Sequence, residues 1–125
     1  MIRGLGVDIV RIDRLTSWLD EPRLLERYFH EAELRTVTDR GDGGAQALAT
    51  RFAAKEAFGK ALGTGLRGFS LREVQISNDA MGKPSVILHG AAKAALAAAG
   101  AVRVFVSLTH ESDNAVAVIV LEGEG

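Results

Sequence analysis

Residues 45–65 read AQALATRFAAKEAFGKALGTG, and this stretch decides the fold. From 45 to 62 it is rich in alanine and other apolar residues, contains no proline and stops at Gly63, so it predicts one long helix closed by a glycine. A helix apolar around most of its circumference must be covered by other elements, which places it at the centre of the domain. Its charges then need an account, because Arg51, Lys55, Glu56 and Lys60 sit among Phe52, Phe58 and the alanines at 53, 54, 57 and 61. An unpaired ion removed from water costs several kcal/mol or shifts its pKa until it is neutral. These four groups either satisfy one another or wait for a ligand. At about 100° per residue, Glu56 and Lys60 lie one turn apart, as do Arg51 and Lys55. The plain reading is an exposed i,i+4 ion pair and two exposed cations; the sharper one is a narrow polar strip that meets a charged ligand. GTG at 63–65 is equally two-sided. It is a helix cap, or a pair of glycines around Thr64 whose backbone N–H groups approach a phosphate while Lys60 supplies the counter-charge.

Working outward, residues 2–12 alternate as a strand, with Leu5, Val7 and Ile9 on one face and Gly4, Gly6 and Asp8 on the other. Short helices are predicted at 13–19, at 23–29 after Pro22, and at 30–37, with RGDGG (40–44) as a loop. Beyond the long helix, strands at 74–77 and 85–88 flank the turn-forming NDAMGKP, an alanine-rich helix covers 89–99, and strands at 102–108 and 115–121 flank THESDN. This order predicts an α+β domain in which a small antiparallel sheet packs on the long central helix. The 125 residues fit a single domain spanning 1–125.

Composition narrows the function classes. A net charge of −1 gives no general electrostatic reason to bind nucleic acid, and no apolar run reaches the length of a membrane span. The first residues lack the features of a signal peptide, so a cytoplasmic location is expected. With no cysteine, any metal must be held by carboxylates, histidine or water, which favours a hard ion such as Mg2+. Seven of the eleven arginines fall in the first 40 residues, offset by acids there, so a local basic face is available within a chain that is not basic as a whole.

Asp8 is the second residue that needs a partner, since a carboxylate in an otherwise apolar strand is disfavoured by burial. Either an arginine such as Arg11 or Arg51 pairs with it, or Asp8 and Glu56 together hold one Mg2+ whose octahedron waters and phosphate oxygens complete. His110 follows the strand VRVFVSLT as a capping or surface residue or as a catalytic one, with Ser107, Thr109 and Glu111 around it. His30 and His89 read as structural.

GVDIVRIDR (6–14), RFAAKEAFGKALGTG (51–65), NDAMGKP (78–84) and VSLTHESDNAVAVIVLE (106–122) together resemble the bacterial holo-acyl-carrier-protein synthases, the small 4′-phosphopantetheinyl transferases. That resemblance implies transfer of phosphopantetheine from coenzyme A to a serine of apo acyl carrier protein, with release of adenosine 3′,5′-bisphosphate. It implies Mg2+ held by Asp8 and Glu56, and a homotrimer with coenzyme A sites between neighbours. Lys60 would neutralise the transferred phosphate. Arg51, Lys55, Gly63, Thr64, Gly65, Lys83, Pro84, Thr109 and His110 would make the remaining coenzyme contacts. The carrier serine's proton would go to Glu56, to Asp8 or to a metal-bound water, with Glu56 ranked first. Acyl carrier proteins are acidic, so Arg14, with Arg23 and Arg27 on the following helix, would form the docking face, unless intrahelical pairs with Asp13, Glu26 or Glu31 occupy them. Two features depart from the family pattern: Glu111 stands where a small hydroxyl residue is usual, and RGDGG is poor in lysine.

Overall fold

The computed structural model describes residues 1–38 and 43–125. Among the described residues, five strands and five helices follow one another as β1 (Ile2–Arg11), α1 (Ile12–Thr16), α2 (Pro22–Tyr28), α3 (Glu31–Thr38), α4 (Gly44–Leu62), β2 (Val74–Asn78), β3 (Pro84–Leu88), α5 (Gly90–Ala98), β4 (Arg103–His110) and β5 (Asn114–Glu122), with a 3-10 turn at Leu71–Glu73. Of the loop expected at 40–44, Arg40, Gly41 and Asp42 lie outside the described residues, while Gly44 already belongs to α4.

Helix α4 is central for the reason its composition gives. Alanines at 47, 49, 53, 54, 57 and 61 and the rings of Phe52 and Phe58 are buried on several sides of it at once. It ends where Gly63 takes a left-handed φ of 83°, a conformation that costs glycine little, and donates its N–H to the Lys60 carbonyl.

Among the described residues the strands form two sheets, of which the three-stranded one is the antiparallel sheet expected to pack on α4. One is three-stranded, antiparallel, in the order β1-β5-β4; the other pairs β2 with β3. β5 is the middle strand, and its alternation sets the layers: Ala115, Ala117, Ile119 and Leu121 are buried, while Val116, Val118 and Val120 point the other way. The register places Leu5 opposite Val120, Val7 opposite Val118 and Ile9 opposite Val116, and on the other edge Phe105 opposite Val120. These apolar residues therefore share one face of the sheet. It is the outer face: Leu5, Val7 and Ile9 are 67%, 55% and 63% exposed. The face of β1 that meets the core is the one carrying Gly4, Gly6 and Asp8.

Candidate active site

The charges of α4 do not form one strip. Lys55 and Glu56 are neighbours in sequence and so about 100° apart around the helix, and Arg51 lies about 140° from Glu56. The two i,i+4 pairs consequently face different surroundings.

Lys55 corrects the sequence reading. Its side chain is 0% exposed and its ammonium is fully engaged, donating to Glu33 Oε1 at 2.7 Å, to the Leu71 carbonyl at 3.0 Å and to the Val74 carbonyl. Glu33 is buried too, and its other contacts are the N–H of His30 at 2.9 Å and the N–H of Ile76 at 3.1 Å. Burial pushes the Lys55 ammonium down to about 8, with Glu33 opposing the shift. A lysine with all three donors committed inside the core is not placed to contact a phosphate. Arg51 is also buried; it donates to the Ala47 carbonyl at 3.2 Å and to Asn78 Oδ1 at 3.0 Å. Asn78 in turn donates to the Gly82 carbonyl, and Asp79 Oδ1 accepts the N–H groups of Met81 and Lys83. Arg51 thus ties α4 to the β2–β3 turn that carries Lys83 and Pro84.

The other pair opens toward β1. Lys60 does not close on Glu56; its Nζ donates to Asp8 Oδ1 at 2.9 Å and to the Val7 carbonyl at 3.1 Å. Asp8 therefore pairs with Lys60 rather than with Arg11, which holds Asp13 at 2.7 Å, or with Arg51. The Lys60 side chain is 55% exposed and that of Asp8 16%, so the pair sits at the rim of the fold. Glu56 is half-buried beside them. Its carboxyl is pushed above the ordinary range by burial first and by the negative charge of Asp8 second, with Arg14 and Lys60 pulling the other way. Two neighbouring carboxylates at an open rim, one of them charged at the other's expense, are a natural seat for a hard cation. Among the described residues no third carboxylate or histidine joins them.

Arg14 reaches this rim from α1. Its guanidinium carbon lies 5.2 Å from the centre of the Phe52 ring, one turn before Glu56, and 5.7 Å from that of Trp18. Phe52, Trp18 and Tyr28 pack edge-on or stacked against one another and fix that position. Arg27 lies over Tyr28 at 5.6 Å, and with Arg23 it lines a 710 Å³ groove formed with Glu21, Pro22 and Leu24. Two of the three competing intrahelical partners are engaged elsewhere, Asp13 by Arg11 and Glu31 by Arg35.

GTG folds back over the helix it caps: the Gly65 N–H donates to the Gly59 carbonyl at 3.1 Å, and Thr64 is exposed. His110 lies elsewhere. Its Nδ1 is 2.9 Å from Gln46 Nε2 at the start of α4, ten residues and so about 15 Å along the axis from Glu56. Gly43, Ala47 and Thr50 complete a 310 Å³ cavity around it. Thr109 and Glu111 are exposed on the same hairpin, where the Glu111 N–H donates to the Asn114 carbonyl at 2.8 Å. His30 and His89, read as structural, stack on each other at 4.7 Å between ring centres, and burial together with His89 lowers the pKa of His30.

Sequence reasoning missed Glu33, Gln46 and the aromatic holder of Arg14. A signal for Glu33 was present in HEAE (30–33): a glutamate at the third helical position reaching back to the N-cap N–H is half of a capping box.

Known proteins resemble this arrangement over nearly the whole chain. The family model of the 4′-phosphopantetheinyl transferase superfamily matches residues 4–119. The holo-[acyl-carrier-protein] synthase of Treponema denticola is 51% identical over 123 residues, spanning 98% of this chain and 100% of that protein. Among solved structures, the holo-[acyl-carrier-protein] synthase of Neisseria meningitidis superposes with a TM-score of 0.88 at 38% identity, over 98% of this chain and 99% of that one. The Bacillus anthracis synthase, solved in complex with CoA (3′,5′-ADP), gives 0.82 at 35% identity over 99% of each chain.

Proposed function

The chain belongs to the 4′-phosphopantetheinyl transferase superfamily, and from that premise we propose that it is a holo-[acyl-carrier-protein] synthase, transferring 4′-phosphopantetheine from coenzyme A to a serine of apo acyl carrier protein. The serine oxygen forms a bond to the phosphorus next to pantetheine. The bond from that phosphorus to the bridging oxygen breaks, and its electron pair leaves with adenosine 3′,5′-bisphosphate. The observation that carries this reading is the convergence of Asp8, from β1, and Glu56 and Lys60, from α4, at one open rim.

Attack on a diphosphate is opposed chiefly by its negative charge, so neutralisation and in-line placement do most of the work. Lys60, held by Asp8 and the Val7 carbonyl, presents an ammonium that is half in water and free to turn toward a phosphate oxygen. Asp8 and Glu56 fit Mg2+ by their chemistry: two oxygen ligands, mutual repulsion to relieve and, among the described residues, no third acid, which leaves room for waters and phosphate oxygens. Bound there, the ion supplies charge stabilisation to the diphosphate. Glu56, whose carboxyl binds a proton more readily than an ordinary glutamate, accepts the serine proton directly or through a water. Arg14, Arg23 and Arg27 dock the acidic carrier, Arg14 being already immobilised on Trp18 and Phe52 at the edge of the acid pair.

A homotrimer with coenzyme A sites between subunits completes the proposal. The uncovered sheet face of Leu5, Val7, Ile9, Phe105 and Val118 supports it, because an apolar face of that extent is rarely left in water. So does the placement of Arg51 and His110, which lie around and along α4 from Glu56 and reach a shared ligand only if a neighbour supplies them. The GTG loop and the Lys83–Pro84 turn then flank the nucleotide.

The test is direct. Incubation with apo-carrier, coenzyme A and Mg2+ adds about 340 Da to the carrier serine, and a chelator stops the gain. Release of coenzyme A and acid from an added acyl-CoA, with no carrier adduct, indicates a thioesterase instead, and unchanged carrier with bound coenzyme A a regulatory module.

A further inference from the structure

We propose that Gly6 is a positioning residue: lacking a side chain, it lets α4 lie backbone to backbone on β1, and this contact sets the separation of Asp8 from Glu56. The inference rests on the reading that those two carboxylates act as a pair. A Cβ built on Gly6 overlaps the carbonyl oxygen of Ala57 and comes within 2.8 Å of the Ala61 nitrogen and 3.1 Å of the Ala57 carbonyl carbon. At Gly4, one pleat earlier, it overlaps the carbonyl oxygen of Ala61. Neither glycine has a positive φ, so neither is required by backbone conformation. Both are required by space.

The obstacle is helix backbone, which cannot rotate aside as a side chain can. A methyl at Gly6 therefore moves α4 away from β1 as a body. The contact lies next to the acids themselves: Ala57 follows Glu56 in the helix, and Asp8 is the next residue after Gly6 on the same face of the strand. No flexible segment intervenes to absorb the movement. Displacement of a catalytic group by about 1 Å costs on the order of 10²-fold in rate.

Three variants test this, with Mn2+ binding by calorimetry in the absence of substrates as the first readout and steady-state kinetics as the second. Gly6→Ala weakens Mn2+ binding by about tenfold or more and lowers kcat by about 10²-fold, leaving the KM for carrier within about twofold. Leu48→Ala, which hollows the core at a fully buried position on the same helix, lowers thermal stability but keeps Mn2+ affinity. A merely structural role for Gly6 predicts that the two behave alike, and that result overturns the proposal. So does unchanged Mn2+ affinity in Gly6→Ala. Asp8→Asn separates this failure from that of the underlying reading: if it also leaves Mn2+ binding intact, the acid pair itself is wrong. Should Gly6→Ala not fold, Gly4→Ala carries the test, since its wedge falls one turn farther from Glu56. A weakening of Mn2+ binding by about threefold is then expected, and none overturns the proposal.

Discussion

Helix α4 carries two oppositely treated sets of charge. Toward α3 and β2, Lys55 is sealed from water with every donor used, by Glu33 and two carbonyls, and Arg51 is bound to the neighbouring turn. Toward β1, Lys60, Asp8 and Glu56 meet at the surface, and Glu56 bears the cost of a second carboxylate nearby. The residue types are the same. What differs is whether the partners are complete: Lys55 has no donor left for a ligand, whereas the open set keeps carboxylate lone pairs and a half-exposed ammonium.

The largest break in that comparison comes from Glu56→Gln, which lowers turnover by about 10²–10⁴-fold while the melting temperature holds. Near-normal turnover removes Glu56 from the chemistry. Lys55→Met gives the mirror image, losing about 3–5 kcal/mol in urea unfolding because Glu33 is left buried and unpaired, with turnover per folded molecule maintained. The double variant Lys55→Met/Glu33→Leu recovers most of the loss; a single variant as stable as the wild-type chain shows that the closed set is not structural.

This distinction was only half legible in the sequence. Alanine content and Gly63 define α4, and Asp8 stands out because a carboxylate does not belong in an apolar strand. Nothing near Lys55 announces a counter-ion 22 residues upstream, so its one-turn spacing from Arg51 suggests an exposed strip when both are in fact interior. The alternation of β1 shows two faces without saying which is inside. Size settles it: the glycine face can approach α4 closely and the Leu5–Val7–Ile9 face cannot. For the same reason, five predicted strands did not reveal that they divide three and two.

A smaller effect sharpens the open side. Arg14→Glu raises the KM for carrier by about tenfold and leaves that for coenzyme A within about twofold, and the salt dependence of the carrier reaction flattens. Equal changes in both KM values reject docking through Arg14. Smallest is the pH signature of the closed side. Because Lys55 titrates at about 8 in the folded chain and at 10.5 when unfolded, the unfolded chain holds more protons across that interval. Lys55 therefore makes stability rise with pH from 8 to 10.5, an increment lost as pH falls back through the folded value. Urea midpoints measured across this range, wild-type chain minus the Lys55→Met/Glu33→Leu variant, show a positive slope; a flat difference means that burial does not depress this lysine.

Leu5, Val7, Ile9 and Phe105 leave a newly made chain with a water-averse plane that folding alone cannot hide. In the proposed homotrimer that plane is covered, so dilution would uncover it and concentration would protect it; chilling would not, since the force that gathers apolar surfaces weakens in the cold.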